Sequence, residues 1–285
     1  LIIWPPYAVG AVERGVITAR EARHVRANYG AKLSMIDHWF GRLLDVVDAN
    51  NLWDDTAIIP CTDHGHYLGE KDIFGKPRPH YEPLGHTPLM IAWPGIAHRR
   101  TSALTTNVDI YATIADIFGV RSGHRTHGHS MTPLITGKSD HIRDWALAGV
   151  YGRWVHVNDG ARKCARAPVH DTNMPLSMCS NRWSTMPIGG MPDVKLPRPS
   201  RSAYLDYMPG RDVPVIRQPF KPGDSLPFWS LGIRPREHHY DLDNDPAEDN
   251  NRLGSNDETA MIEMLRVALK TVDAPLEQFE HLGIA

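Results

Sequence analysis

Two short apolar runs, "TAIIPC" at residues 56–61 and "TPLMIAWPG" at residues 87–95, lie between two stretches of helical period. That order of helix, strand, loop, strand and helix constrains the chain to an α/β layer arrangement, because neither kind of element buries its apolar face alone. The first helix opens on "TARE" at residues 18–21, a capping box in which Thr18 and Glu21 satisfy each other's free N–H groups. Beyond it Val25, Tyr29, Leu33, Ile36, Phe40, Leu43, Leu44 and Val47 recur at helical spacing. This stripe is expected to bury one face against a sheet or other helices. "DANNLWDD" then stops the helix with turn formers. Both apolar runs are predicted to be buried strands. "VDIYATIADIFGV" is expected to form a helix capped by Asp109, with Ile110, Ile114 and Phe118 on one side and Gly119 as its stop.

The 285 residues suffice for a sizeable core, in one large domain or two modest ones. Lysine plus arginine (31) nearly balances aspartate plus glutamate (33), so the chain lacks the basic field that attracts nucleic acid. No apolar run approaches the ~18 residues needed to span a bilayer. Cys61, Cys164 and Cys179 form neither a paired framework nor a CxxC motif and are read as isolated thiols. The opening "LIIWPPYAVG" does not begin with Met and enters a Pro-rich turn abruptly, so it reads as a chain cut mid-fold. From about residue 150 the texture changes. Residues 168–235 are dense in Pro, Arg, Met and Trp, and an irregular excursion with short antiparallel strands is expected there. "HHYDLDNDPAEDNN" reads as a strand entering a turn, and "DETAMIEMLRVALKTV" as a closing helix.

Chemistry concentrates in "CTDHGHYLGEKDIFGK" at residues 61–76. The first run ends at Asp63, so the polar cluster falls at the C-terminal end of a strand, where open α/β sheets place ligands. Asp63 and His64 would point to opposite faces of a regular strand, and both reach one ion only if the backbone turns, which Gly65 permits. Their donor types suit Zn²⁺ or Mn²⁺ as well as Ca²⁺. Two ligands complete no site, so further donors must come from elsewhere. Lys76 would add a fixed cation for an oxyanion beside that ion. Spacing alone leaves a polar, histidine-rich surface loop as the alternative, with His66, His80 and His86 as hydrogen-bonded loop residues.

The whole succession resembles the C-terminal part of the sulfatase family, within the alkaline phosphatase superfamily. The resemblance rests on a helix ending "GRLLD", a strand into "TDHG", then "LGE", "GK" and "TPLMIAWPG", the helix "VDIYATIADIFGV" and the turn "YDLDNDPAEDNN". It covers residues 20–136 and 238–253. The fold it implies is an alkaline-phosphatase-like α/β sandwich with a mixed central β-sheet between helices, plus a smaller C-terminal antiparallel sheet and terminal helix. Residues 1–140 would be the C-terminal part of the catalytic domain, and residues 141–285 the excursion and smaller subdomain. Position by position, Asp63 and His64 match ligands of the family's divalent ion, which is usually Ca²⁺. Lys76 matches the lysine that contacts the sulfate group and is the catalytic candidate. His66 is the secondary candidate for substrate contact.

The same resemblance exposes departures. None of the three cysteines stands in the C-x-P-x-R motif that family members convert to formylglycine. The family's N-terminal paired aspartates are also missing, as are its Lys and His near the nucleophile and a further upstream His. These losses are collinear, so they are expected to belong to sequence preceding Leu1, leaving the isolated chain inactive and poorly soluble. The implied activity is metal-dependent hydrolysis of a sulfuric ester, on a small-molecule or carbohydrate substrate. A phosphonate monoester or phosphodiester hydrolase is the nearest alternative, since His at position 64 occurs there too. A non-catalytic remnant is the alternative of another class. Arg182, Trp183, Arg201 and Trp229 would suit a sugar or aromatic sulfate, but suit packing and surface charge equally.

Overall fold

The computed structural model describes residues 8–76, 80–123, 125–149, 154–169, 176–180, 201–208, 212–221 and 237–285. Arg182, Trp183 and Trp229 lie outside the described residues. The chain divides into two units, residues 1–102 with 133–140, and residues 103–132 with 141–285.

In the first unit, β1 (Ala8–Val9), β2 (Tyr67–Leu68) and β3 (Ile73–Gly75) form a small antiparallel sheet in the order β1-β3-β2. Helix α1 (Ala19–Ala49) starts at the expected capping box, where Thr18 Oγ1 accepts from Glu21 N at 3.2 Å and Glu21 Oε2 accepts from Thr18 N at 2.7 Å. Its first two turns are anchored. Ala22 and Val25 pack with Ala11, Ile17 and Phe74, and Arg26 Nη1 donates to Leu68 O at 2.6 Å. Further along, the stripe departs from expectation. Of its members Leu33, Ile36 and Leu43 are each more than half exposed, whereas Phe40 and Leu44 are half-buried and Val47 is buried. Helical spacing puts apolar residues on one face, but covering that face takes another layer, and among the described residues the middle of the stripe is left largely open.

The two apolar runs also differ from the expectation of buried strands. Residues 56–61 and 87–95 meet only at isolated antiparallel bridges, Ile58 with Ala92 and Cys61 with Leu89, and their side chains are mostly half-buried. The physical reason is Pro60. Met90 N donates to Pro60 O at 3.0 Å, but proline has no N–H to return, so the ladder breaks. A short α2 (Glu82–Gly85) precedes the second run.

In the second unit, α3 (Asn107–Ile117) forms as expected, but with Thr106 as its N-cap and Asp109 as the third helical residue of a capping box. The buried face is also different: Asp109 and Thr113 are fully buried, whereas Ile114 and Phe118 are exposed. Polar anchoring explains this. The Asp109 carboxylate accepts from Thr106 N (2.7 Å), His129 N (2.8 Å) and Arg143 Nε (3.0 Å), and also pairs with Arg143 Nη2. Thr113 Oγ1 accepts from Met131 N at 2.9 Å. Gly119 follows with φ +61, the left-handed stop that glycine allows. A short α4 (Thr132–Ile135) follows, its residues from Pro133 onward counted with the first unit.

Strands β4 (Ala146–Gly149), β5 (Val155–Asn158), β6 (Arg162–Arg166) and β10 (His238–Asp241) form an antiparallel sheet in the order β10-β6-β5-β4. The excursion supplies a second antiparallel sheet, in which β7 (Leu176–Ser180) and β8 (Tyr204–Tyr207) flank β9 (Pro214–Phe220). The closing helix α5 (Glu258–Thr271) lies on β5 and β6, burying Met261, Leu265, Ala268 and Leu269 against Val155, Val157 and Cys164. The final α6 (Leu276–His281) adds Phe279 to that core. On β6 the fully buried Lys163 pairs with Glu248 at 2.5 Å. Glu248 sits in the turn after β10 at φ +56, backbone strain that its buried side-chain pairing offsets.

Candidate metal and anion site

The loop after the first apolar run folds so that Asp63, His64 and Lys76 converge. Gly65 makes this possible: a Cβ there would lie 2.0 Å from Pro83 O, and Gly65 N donates to Leu84 O at 2.9 Å. Only glycine allows the two segments to approach so closely. The turn brings His64 Nε2 to 3.4 Å from Asp63 Oδ2, while Asp63 Oδ1 accepts from His64 N at 3.0 Å. Thr62 Oγ1 donates to His64 O at 3.2 Å and steadies the turn.

The tautomer of His64 follows from its partners. Nδ1 lies 2.7 Å from Gly65 O, which can only accept, so Nδ1 carries the proton. Nε2 therefore presents its lone pair outward, and Lys76 Nζ donates to it at 2.8 Å. Lys76 reaches this point because Ile73–Gly75 pairs with Tyr67–Leu68 and Gly75 takes φ +87. Burial pushes the Asp63 carboxyl upward, but the neighbouring His64, its backbone N–H and Lys76 outweigh that and hold Asp63 below the ordinary carboxylate range.

His66 lies beside this group. Its ring stacks on Tyr29 of α1, with centroids 5.6 Å apart and planes 23° apart. Burial lowers its pKa, reinforced by His64, Lys76 and Lys32, so the imidazole favours its neutral form. Helical spacing places Tyr29 in the apolar stripe, and nothing in that spacing marks it as a neighbour of residue 66. His86 instead pairs with Glu82 at 3.2 Å. Arg201 lies in the second unit. Cys164 is buried in the core, which pushes its thiol up to about 12 and keeps it protonated, while Cys61 and Cys179 are free and exposed.

The donor set fits a divalent ion as far as it goes. It comprises an exposed carboxylate and an imidazole whose Nδ1–H is fixed by a carbonyl, the arrangement that prepares Nε2 as a ligand. Among the described residues no group of three or more His, Cys, Asp or Glu side chains could hold an ion by itself. No helix among the described residues is long and apolar enough to cross a membrane.

The model of the sulfatase family matches residues 5–120, the stretch that carries this loop. Choline-sulfatase of Rhizobium meliloti is 32% identical over 161 residues, covering 53% of this chain and 31% of that protein. Arylsulfatase K of Gallus gallus is 32% identical over 127 residues, covering 44% of this chain and 24% of that protein. The chain resembles the sulfatase family over residues 5–120. It spans less than a third of the length of these curated relatives. Solved structures agree on the fold. A protein captured with its substrate D-glucosamine-2-N,6-O-disulfate superposes with TM-score 0.58 at 19% identity, over 86% of this chain and 40% of that one. The phosphonate monoester hydrolase of Agrobacterium radiobacter gives 0.57 at 19% identity, over 90% and 42%. The chain thus has the alkaline-phosphatase-like fold, a mixed α/β arrangement of helices and antiparallel sheets.

Proposed function

We propose that this chain supplies the ion-binding and anion-binding half of a sulfuric ester hydrolase. The observation that carries the reading is the convergence of Asp63, His64 and Lys76 on one point, within the matched residues 5–120. Asp63 and His64 are the proposed ligands of one divalent ion, Ca²⁺ by family resemblance, with Mn²⁺ or Zn²⁺ as chemically suitable substitutes. When bound, that ion would polarise a non-bridging oxygen of the ester. Lys76 places an ammonium beside the same oxygens and offsets charge as the leaving oxygen departs. His66, half-buried and stacked on Tyr29, is proposed to line the substrate side of the site. The nucleophile, a formylglycine in family members, is proposed to come from outside these 285 residues, since no cysteine here stands in C-x-P-x-R. The substrate class is a small-molecule or carbohydrate sulfate ester. Two relatives support that class: a choline-sulfatase and a protein solved with a disulfated glucosamine.

The test uses protein expressed from the complete open reading frame with 4-nitrophenyl sulfate. Asp63→Asn and Lys76→Ala should each lower kcat by about 10²–10³-fold, the scale of losing a preorganised charge-stabilising group. Near-normal turnover in both variants would sink the assignment. A phosphonate monoester hydrolase is the second reading because His stands at position 64. Faster turnover of an aryl phosphonate than of the aryl sulfate would favour it.

A further inference from the structure

Lys76 and an ion bound at Asp63 and His64 require the same atom. The Nε2 of His64 has one in-plane lone pair, and Lys76 Nζ donates to it at 2.8 Å. An ion ligated by that nitrogen would sit ~2.0–2.5 Å along the same direction, so ammonium and ion would overlap. His64 has no second nitrogen to offer. Its Nδ1 proton is held by Gly65 O at 2.7 Å, and Gly65 is itself fixed by its bond to Leu84 O at 2.9 Å and by the close approach of Pro83 O. Asp63 Oδ2, 3.4 Å from the contested nitrogen, completes the pair of donors that an ion would join. Lys76, by contrast, is exposed and follows a glycine at φ +87, so its four-carbon stem can carry the head group aside.

We propose that Lys76 is an exchangeable occupant of the His64 lone pair, displaced by the metal ion and thereby released to bind the substrate's anionic oxygens. The inference rests on the preceding reading of the site and adds an order to it. The lysine is sequestered until the ion arrives, and the freed ammonium stays tethered within a few ångströms of the ion, where a sulfate oxygen bound to that ion would lie. The coupling is reciprocal, so an oxyanion that captures Lys76 also raises ion affinity.

The test is Mn²⁺ affinity of the protein expressed from the complete open reading frame, followed by water-proton relaxation, for wild type and Lys76→Met, with Lys76→Leu as a second variant. Far-ultraviolet circular dichroism checks that all three keep their fold. Removing the competing donor should tighten Mn²⁺ binding by about tenfold, within the range of typical coupling between sites. The gain should persist in about 0.5 M KCl, because competition for a lone pair is not screened as through-space repulsion is. Equal or weaker binding by both variants overturns the exchange while leaving the metal site standing. A gain that vanishes at high salt overturns it as well, since simple charge repulsion would then account for the effect. No Mn²⁺ binding by any of the three proteins overturns both the exchange and the site it rests on.

Discussion

The substitution Asp109→Asn should unfold the second unit far more easily than its near-identical volume suggests. The Asp109 carboxylate is fully buried and serves five donors. Oδ1 accepts from His129 N at 2.8 Å and from Arg143 Nη2, and Oδ2 accepts from Thr106 N at 2.7 Å, Thr106 Oγ1 at 3.2 Å and Arg143 Nε at 3.0 Å. Whichever way the variant's amide turns, its NH₂ faces at least two donors, one of them a guanidinium whose side chain is only 6% exposed. Breaking one partner of a buried ion pair costs ~3–5 kcal/mol, and the weakened capping box adds about 1 kcal/mol. A total of about 4–6 kcal/mol is a large part of the ~5–15 kcal/mol that stabilises a whole domain. At a urea m-value of roughly 2 kcal/mol/M, the midpoint should fall by about 2–3 M. Urea titration followed by circular dichroism measures it. Arg143→Met should cost less, because Thr106 and His129 still satisfy the carboxylate, and the double variant should cost less than the sum. A loss below about 1 kcal/mol for Asp109→Asn would refute the idea that this carboxylate fixes the start of α3.

Other outcomes follow from single contacts. Gly65→Ala must push Pro83 away and lose the bond to Leu84 O; a stability loss of about 1–3 kcal/mol is expected in urea unfolding, and an unchanged midpoint would contradict the close approach. His66 has its folded pKa below 6.5, so the unfolded chain binds the extra proton in that window. Stability from this residue is therefore full above about pH 6.5 and declines as pH falls below it, and His66→Gln should flatten that slope between pH 7 and about 5. A slope identical in both proteins would remove His66 as its source. The exposed face of α1 predicts dye binding and self-association; glutamate at positions 33, 36 and 43 together should reduce anilinonaphthalene sulfonate fluorescence and the sedimenting mass. Unchanged values would place the sticky surface elsewhere.

Local chemistry made much of this protein legible in its sequence. Thr18 and Glu21 cap α1 because the two partners lie three residues apart, and of Ile262, Leu265, Leu269 and Val272, spaced at the helical period, Leu265 and Leu269 fall on the buried face of α5. Adjacency likewise put the Asp63 carboxylate beside the His64 ring, Oδ2 lying 3.4 Å from Nε2, once Gly65 allowed the turn. Tertiary structure decided the rest. Periodicity states which residues share a face, not whether anything covers it, so the α1 stripe was legible while its exposure was not. On α3 the buried side was chosen by Arg143 and by the backbone N–H of His129, groups 34 and 20 residues from Asp109. Strand propensity could not anticipate that Pro60 would stand where the ladder needed a donor. The stacking of Tyr29 on His66 and the claim of Lys76 on the His64 lone pair join residues distant in the chain. Such contacts depend on how loops close in space, which no local pattern of residue types encodes.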